Sequence, residues 1–365
     1  MLPALSDISK IILFEFTQPG IIISANHHKM ATTSSTNTAS SPVPTFGVEF
    51  EMTIAVLGRN TTAPDDAVDE KRKLRFSDWG SLAEDIVRTL NDSGYKATCG
   101  SKDFGSWDVT SDVSIAGPPE ETGCKEYEKY VFHPLEIRSP ALYFTPESLQ
   151  EVEAVCSLLK STYCINTNKS TGLHVHIGYG EAGYEFNHLR NLIAFLWAFE
   201  LQIDSIHPPH RFGNPYCSSM REGAELSASW ANKKHRLITP IQGVNYILNI
   251  KRKDKLFQRI CFGRDAYNFG GIRNFVKNGD NENIKPTVEF RQHESTLNSD
   301  EVINWVKTVA GIVEFTRTID NNSLRNLLEI VKWRIGRSLV MVRTTKERDR
   351  KVRSLQRKDS QSLTC

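Results

Sequence analysis

The sequence predicts an α+β protein, built on an antiparallel sheet with one polar face and helices packed on its opposite, apolar face. Three observations carry this. Four short segments alternate apolar side chains with charged or imidazole ones, at the two-residue period of a half-buried strand. Around them lie stretches with apolar residues at helical spacing, opened by cap residues and prolines. The chain of 365 residues, 39% hydrophobic and 24% charged, has the make-up of an ordinary globular protein long enough to bury a large core.

The segment Phe46 to Ile54 leads the argument. Alternation puts Phe46, Val48, Phe50, Met52 and Ile54 on one face and Glu49, Glu51 and Thr53 on the other. Two carboxylates side by side raise each other's proton affinity unless a cation lies between them, so this face invites a divalent metal. For an isolated pair a solvated outer face is the better explanation; recurrence changes the balance. Leu135-Glu136-Ile137-Arg138, ended by Ser139-Pro140, repeats the design, and Leu173-His174-Val175-His176-Ile177 repeats it with two imidazoles. In Thr287 to His293, Val288 and Phe290 face one way while Glu289, Arg291 and His293 face the other. Four such strands make one polar wall. Glu49, Glu51, Glu136 and Glu289 offer hard oxygen ligands suited to Mg²⁺ or Mn²⁺, and His174 or His176 adds a nitrogen. Arg138 and Arg291 beside them suit phosphate or carboxylate.

Taken in order, Met1–Thr45 is expected to be a disordered leader. Thr32 to Pro44 is rich in Ser, Thr and Pro, and the apolar run Ile11 to Phe16 contains Glu15 and is too short to span a bilayer. Residues 46–340 then form the folded domain. Ser77-Asp78 opens a helix through Leu82, Ile86, Val87 and Leu90, closed at Asn91 to Gly94. Trp107 to Ile115 reads as a strand and turn carrying Asp108 and Asp112. Thr145-Pro146 starts a helix to about Lys160. A long, broadly apolar helix is expected from Tyr184 to Ile206, with Glu200 held by structure rather than chemistry. Pro208 to Pro240 is a polar segment, either a lid or a solvated insertion. Helices follow from Asp300 to about Thr318 and from Ser323 to about Leu339, and 341–365 is a basic tail expected to be disordered.

Gly178-Tyr179-Gly180-Glu181-Ala182-Gly183 has the spacing of a dinucleotide-binding turn. The preceding strand carries two histidines, however, whereas the first strand of that fold is buried on both faces, so the glycines are expected to form a plain turn. The chain has no Gly-x-x-x-x-Gly-Lys loop, no Gly-x-Ser-x-Gly elbow and no His-Glu-x-x-His helix, which disfavours P-loop enzymes and the corresponding hydrolases. A formal net charge of +2 gives no argument for nucleic acid or membrane as a partner. Seven scattered cysteines without a Cys-x-x-Cys pair favour free thiols and a cytoplasmic location.

Gly47-Val48-Glu49-Phe50-Glu51, Trp107-Asp108-x-x-x-Asp112-x-Ser114, Glu136-Ile137-x-Ser139-Pro140, Gly172 to Gly178 and Thr287 to His293 resemble, in order, the pattern of the fungal and bacterial amidoligases. Val113 departs from it where that family usually has glycine. These enzymes are distant relatives of glutamine synthetase and glutamate-cysteine ligase. The resemblance implies an antiparallel sheet forming a funnel and an ATP-dependent carboxylate-amine ligase that works through an acyl phosphate. Its expected cofactors are ATP and Mg²⁺ or Mn²⁺; its partners are an amino-acid-like carboxylate and an amine or peptide. It also implies that Glu49, Glu51, Glu136, His174 and Glu289 bind metal and that Arg138 and Arg291 hold nucleotide phosphate or carboxylate. Arg291 and His176 would face the phosphoryl group, and Asp108 and Asp112 would orient the amine. Two other classes stay open: a nucleotide-independent metal hydrolase or oxygenase using His174, His176 and Glu289, and a non-catalytic descendant.

Overall fold

The computed structural model describes residues 42–63, 69–101, 104–117, 127–260, 265–278 and 285–327. The expected leader up to residue 41 and basic tail lie outside them, as does the expected last helix beyond residue 327. Among the described residues nine strands form one sheet: β1 (Thr45–Leu57), β2 (Ala97–Cys99), β3 (Trp107–Thr110), β4 (Tyr130–Arg138), β5 (Leu142–Tyr143), β6 (Ile165–Asn166), β7 (Gly172–Gly178), β8 (Tyr267–Asn268) and β9 (Val288–Glu294). Their order is β2-β3-β4-β1-β7-β9-β8, with β5 and β6 also pairing β1. All pairs are antiparallel except β2 with β3. The four strands with alternating charge are therefore consecutive, β4-β1-β7-β9, and the longest of them runs through the middle.

Helices are α1 (Trp79–Asp92), α2 (Pro146–Thr162), α3 (Phe186–Asp204), α4 (Glu225–Lys234), α5 (Pro240–Asn249), α6 (Lys253–Ile260), α7 (Gly270–Asn278) and α8 (Ser299–Thr318). The capping chemistry explains their starts. Asp78 accepts from Ser81 N at 2.9 Å while Ser81 Oγ reaches back to Asp78 N at 3.3 Å. Thr145 caps α2 ahead of Pro146, and Thr239 forms a reciprocal cap with Gln242 ahead of Pro240. α8 packs on β7, and α3 packs on α8 and α5. Phe46, Val48, Phe50, Met52 and Ile54 of β1 are fully buried with Leu173, Val175, Ile177, Val288 and Phe290, so the apolar face predicted for each strand is the core face. The long helix α3 is buried almost all round, which its wide apolar face requires.

β7 has antiparallel neighbours on both sides, which excludes the parallel β-α-β unit of a dinucleotide fold. Gly180 (φ 56°) and Gly183 (φ 59°) make the turn instead. The polar segment Pro208 to Pro240 carries short helical turns at Pro209–Arg211 and Met220–Gly223 besides α4. Glu200 accepts from Ser219 Oγ (2.9 Å) and Arg221 Nε (3.0 Å), tying the short turn of helix Met220–Gly223 to α3.

One expectation fails. His293 does not share a face with Glu289 and Arg291. Leu173 opposes His293 and Val175 opposes Phe290, so β9 carries one more residue than β7 over this interval. The bulge turns the His293 ring to the core side, where it lies 5.7 Å from the Trp305 ring and 5.3 Å from that of His207.

Candidate active site

Strand register builds the site in rows. Asp108, Arg138, Glu49 and His174 lie in line across β3, β4, β1 and β7. Glu136 and Glu51 pair in the next row, and Gly47, His176, Glu289 and Asn268 line up on the other side. Facing residues of adjacent strands share a face, so a two-residue pattern repeated on four strands becomes a patch. Arg211, buried and missed as a structural anchor, holds the rows in place by donating to Thr171 O (3.2 Å) and Arg291 O (2.7 Å). Gly172 makes room for it, since a Cβ there would come 2.5 Å from Arg211 Nη2 and 3.0 Å from His174 Nε2.

The ligand atoms of Glu49, Glu136 and His174 lie within 4.8 Å of one another, and so do those of Glu49, His176 and Glu289. Glu49 belongs to both triads. His176 Nε2 is 2.9 Å from Glu49 Oε1 yet is not aligned to hydrogen-bond it, while Nδ1 meets Thr287 Oγ1 at 2.9 Å. A buried ring nitrogen left without a hydrogen-bond partner, beside a shared carboxylate, fits a cation that takes both as neighbouring ligands. The donor set of carboxylates with one imidazole per triad fits Mg²⁺ or Mn²⁺. His174 Nδ1 stands 3.6 Å from Glu49 and 3.4 Å from Glu289, and its Nε2 3.4 Å from Glu51.

The charges are strongly perturbed. Burial together with the Glu49 and Glu51 carboxylates pushes Glu136 up to about 9. Burial opposes ionisation of Glu49 as well, but His176, His174 and Lys285 hold it well below the usual carboxylate range. Burial likewise works against Glu289, and His176, His174 and Arg291 overcome it and lower its pKa. A carboxyl kept protonated beside two kept ionised is a site short of positive charge.

The other predicted residues divide. Arg291 pairs with Glu289 and donates to Tyr216 O at 2.9 Å, at the rim of the triads. Arg138 pairs with Asp108, which also accepts from Ser101 N at 2.8 Å, so Asp108 is engaged in positioning the guanidinium. Asp112 accepts from Ser114 N at 2.7 Å and closes its own turn. Glu51 stands outside both triads and accepts from Gly172 N at 2.7 Å. His176, expected to face a phosphoryl group, stands in the second triad.

Sequence reasoning missed Lys285 and Asn268. Lys285 Nζ lies 3.1 Å from Glu49 Oε1, and Asn268 Nδ2 donates to Glu289 Oε2 at 2.7 Å. Neither sits in an alternating segment long enough to signal it. Two cavities open on the triads. The larger, about 580 Å³, is walled by Phe46, Phe104 and Phe275 and reaches Glu49; the smaller, about 210 Å³, is lined by Asn268, Asn274 and Glu289. His176, Lys285 and Thr287 line both.

A family model described as "Putative amidoligase enzyme" matches residues 42–313. The chain belongs to this family. No curated protein matches it. The amidoligase match runs from just before β1 into α8 and takes in all four charged strands, both triads and both cavities. Membership in the amidoligase family points to formation of an amide bond. No described helix is long and apolar enough to cross a membrane.

Proposed function

We propose that this amidoligase is an ATP-dependent carboxylate-amine ligase acting through an acyl phosphate, on a sheet that serves as the funnel floor in the manner of glutamine synthetase and glutamate-cysteine ligase. The observation that carries the reading is the pair of triads sharing Glu49 at the meeting of two cavities. Divalent cations, when bound there, neutralise phosphate oxygens and hold the triphosphate in line. The residues do the rest. Glu49, Glu136, His174, His176 and Glu289 fix the cations. Arg291 and Arg138 supply fixed positive charge at the rim and in the Asp108 row, and the buried sheet keeps these dipoles oriented before reaction.

In the reaction, a carboxylate oxygen of the acid attacks the γ-phosphorus and ADP leaves. The amine nitrogen then attacks the acyl carbon, phosphate leaves, and the nitrogen's surplus protons pass to phosphate and solvent. The larger cavity lies within the size range of sites for nucleotide-sized ligands, and the smaller falls below it, which matches a nucleotide beside a compact reactant. The test is a screen of amino acids and amines with ATP and Mg²⁺ or Mn²⁺, following release of ADP and phosphate and the mass of the product. Stoichiometric ADP, phosphate and amide are expected for one acid-amine pair. Calorimetry showing no ATP binding with either metal would remove the ligase reading.

A further inference from the structure

Lys285 is the one described cation that lines both cavities, and its ammonium stands against the carboxylate shared by the two triads, 3.1 Å from Glu49 Oε1. We propose that Lys285 is a catalytic residue of this site: its ammonium seats the phosphoryl group where the two cavities meet, after resting on Glu49 while the triads hold no cation. The inference rests on the ligase reading for the identity of the anion, and on the geometry alone for there being an anion seat.

Three features support it. First, the backbone of Lys285 is hydrogen-bonded and closely packed, while its side chain is long and partly exposed, so it can change partners without the backbone moving. Its carbonyl accepts from Thr287 N at 2.8 Å and is packed so closely on Gly271 that a Cβ there would lie 1.9 Å away. The side chain is 29% exposed, on a flexible four-carbon stem, with Nζ 5.1 Å from the Phe104 ring centroid in the larger cavity. Second, the charge balance reverses with cations present. Once bound metal has displaced the Glu136 proton, the triad carboxylates Glu49, Glu136 and Glu289 carry three negative charges, whereas a divalent ion in each triad brings four positive ones. Lys285 then loses its reason to stay on Glu49, and the junction calls for an anion. Third, α7 begins at Gly270 and Gly271 lines the smaller cavity, so the positive end of that helix faces the same space.

The test uses the full chain saturated with Mn²⁺ and inorganic phosphate as the probe, with binding read by calorimetry for wild type, Lys285→Met and Lys285→Arg. Phosphate is expected to bind the wild type, to bind Lys285→Met at least tenfold more weakly, and to bind Lys285→Arg within about threefold of wild type. Mn²⁺ itself should bind Lys285→Met at least as tightly as wild type, which also shows that the variant is folded. Phosphate affinity unchanged by Lys285→Met, or no phosphate binding by the Mn²⁺-loaded wild type, overturns the proposal and leaves Lys285 as a counter-ion to Glu49. The outcome is separable from the ligase reading. Lys285-dependent phosphate binding without ATP turnover would remove the ligase and keep the seat, and ligation with phosphate binding indifferent to Lys285 would do the reverse.

Discussion

Glu49 on β1 and His176 on β7 approach to 2.9 Å without a hydrogen bond between them, on adjacent antiparallel strands whose register sets His176 opposite Gly47. Two largely buried polar groups brought this close and left unaligned cost stability unless one cation engages both as neighbouring ligands. The shared role of Glu49 in two triads follows from that placement, and gives the first prediction. Wild type should bind two Mn²⁺ ions by calorimetry or electron paramagnetic resonance. Glu49→Gln should weaken both by a hundredfold or more, whereas Glu289→Gln and Glu136→Gln should each weaken one. Two sites of undiminished affinity in Glu49→Gln would refute the sharing.

The second prediction concerns pH. Glu136 is held up to about 9, so without metal the folded protein keeps a proton that the unfolded chain has lost above the ordinary carboxylate range. Its contribution to stability is full below that range and is lost as pH rises towards 9, with a slope of at most about 1.4 kcal/mol per pH unit. Metal-free melting temperature should therefore fall from pH 5 to pH 9. Glu136→Gln, which imitates the protonated acid, should flatten the fall. Metal affinity should rise over the same interval, since binding must displace the proton. A metal-free melting temperature equally steep in the variant would assign the slope to other groups.

Arg291 and Glu289 should part company on substitution. Glu289→Gln removes a ligand's charge, so activity should return with excess Mn²⁺. If the proposed ligase reading holds, Arg291→Met should cost roughly a hundredfold in turnover with no rescue, because that reading has its fixed charge stabilise the phosphoryl group. It should also cost about 1–3 kcal/mol of metal-free stability, since the buried Glu289 carboxylate loses the guanidinium paired with it. Steady-state kinetics against Mn²⁺ concentration, alongside thermal melts, checks both. Rescue of Arg291→Met by Mn²⁺ would place it among the metal-supporting residues.

Gly172→Ala probes the scaffold. Its methyl group would meet Arg211 Nη2 at 2.5 Å and His174 Nε2 at 3.0 Å. A guanidinium tethered to Thr171 O, Gln292 O and Arg291 O has little room to yield. A loss of about 1–3 kcal/mol in denaturant unfolding is expected, together with weaker binding at the triad containing His174. Wild-type values for both would show that Arg211 can shift.

The fold was legible where the signal is local. α1 and α2 began at the caps named for them, because Asp78 and Thr145 satisfy the first free N–H groups whatever lies beyond. The short helices of the polar segment after Pro208 were not legible, for the opposite reason. The turn of helix Met220–Gly223 is held from outside the segment by Glu200 of α3, which accepts from Ser219 Oγ and Arg221 Nε, and no local pattern signals that contact.

By itself the sequence determined which side chains share a face within a strand, and so that Glu49, Glu51, Glu136, Arg138, His174, His176, Glu289 and Arg291 would be turned away from the core. A two-residue period is a property of the strand alone. The tertiary structure decided the order β4-β1-β7-β9, the bulge that turns His293 inward, the sharing of Glu49 between two triads and the arrival of Lys285 beside it. Strand order and register come from long-range pairing and from packing against α3 and α8. Two carboxylates 240 residues apart in sequence, Glu49 and Glu289, become neighbours only when that packing is complete.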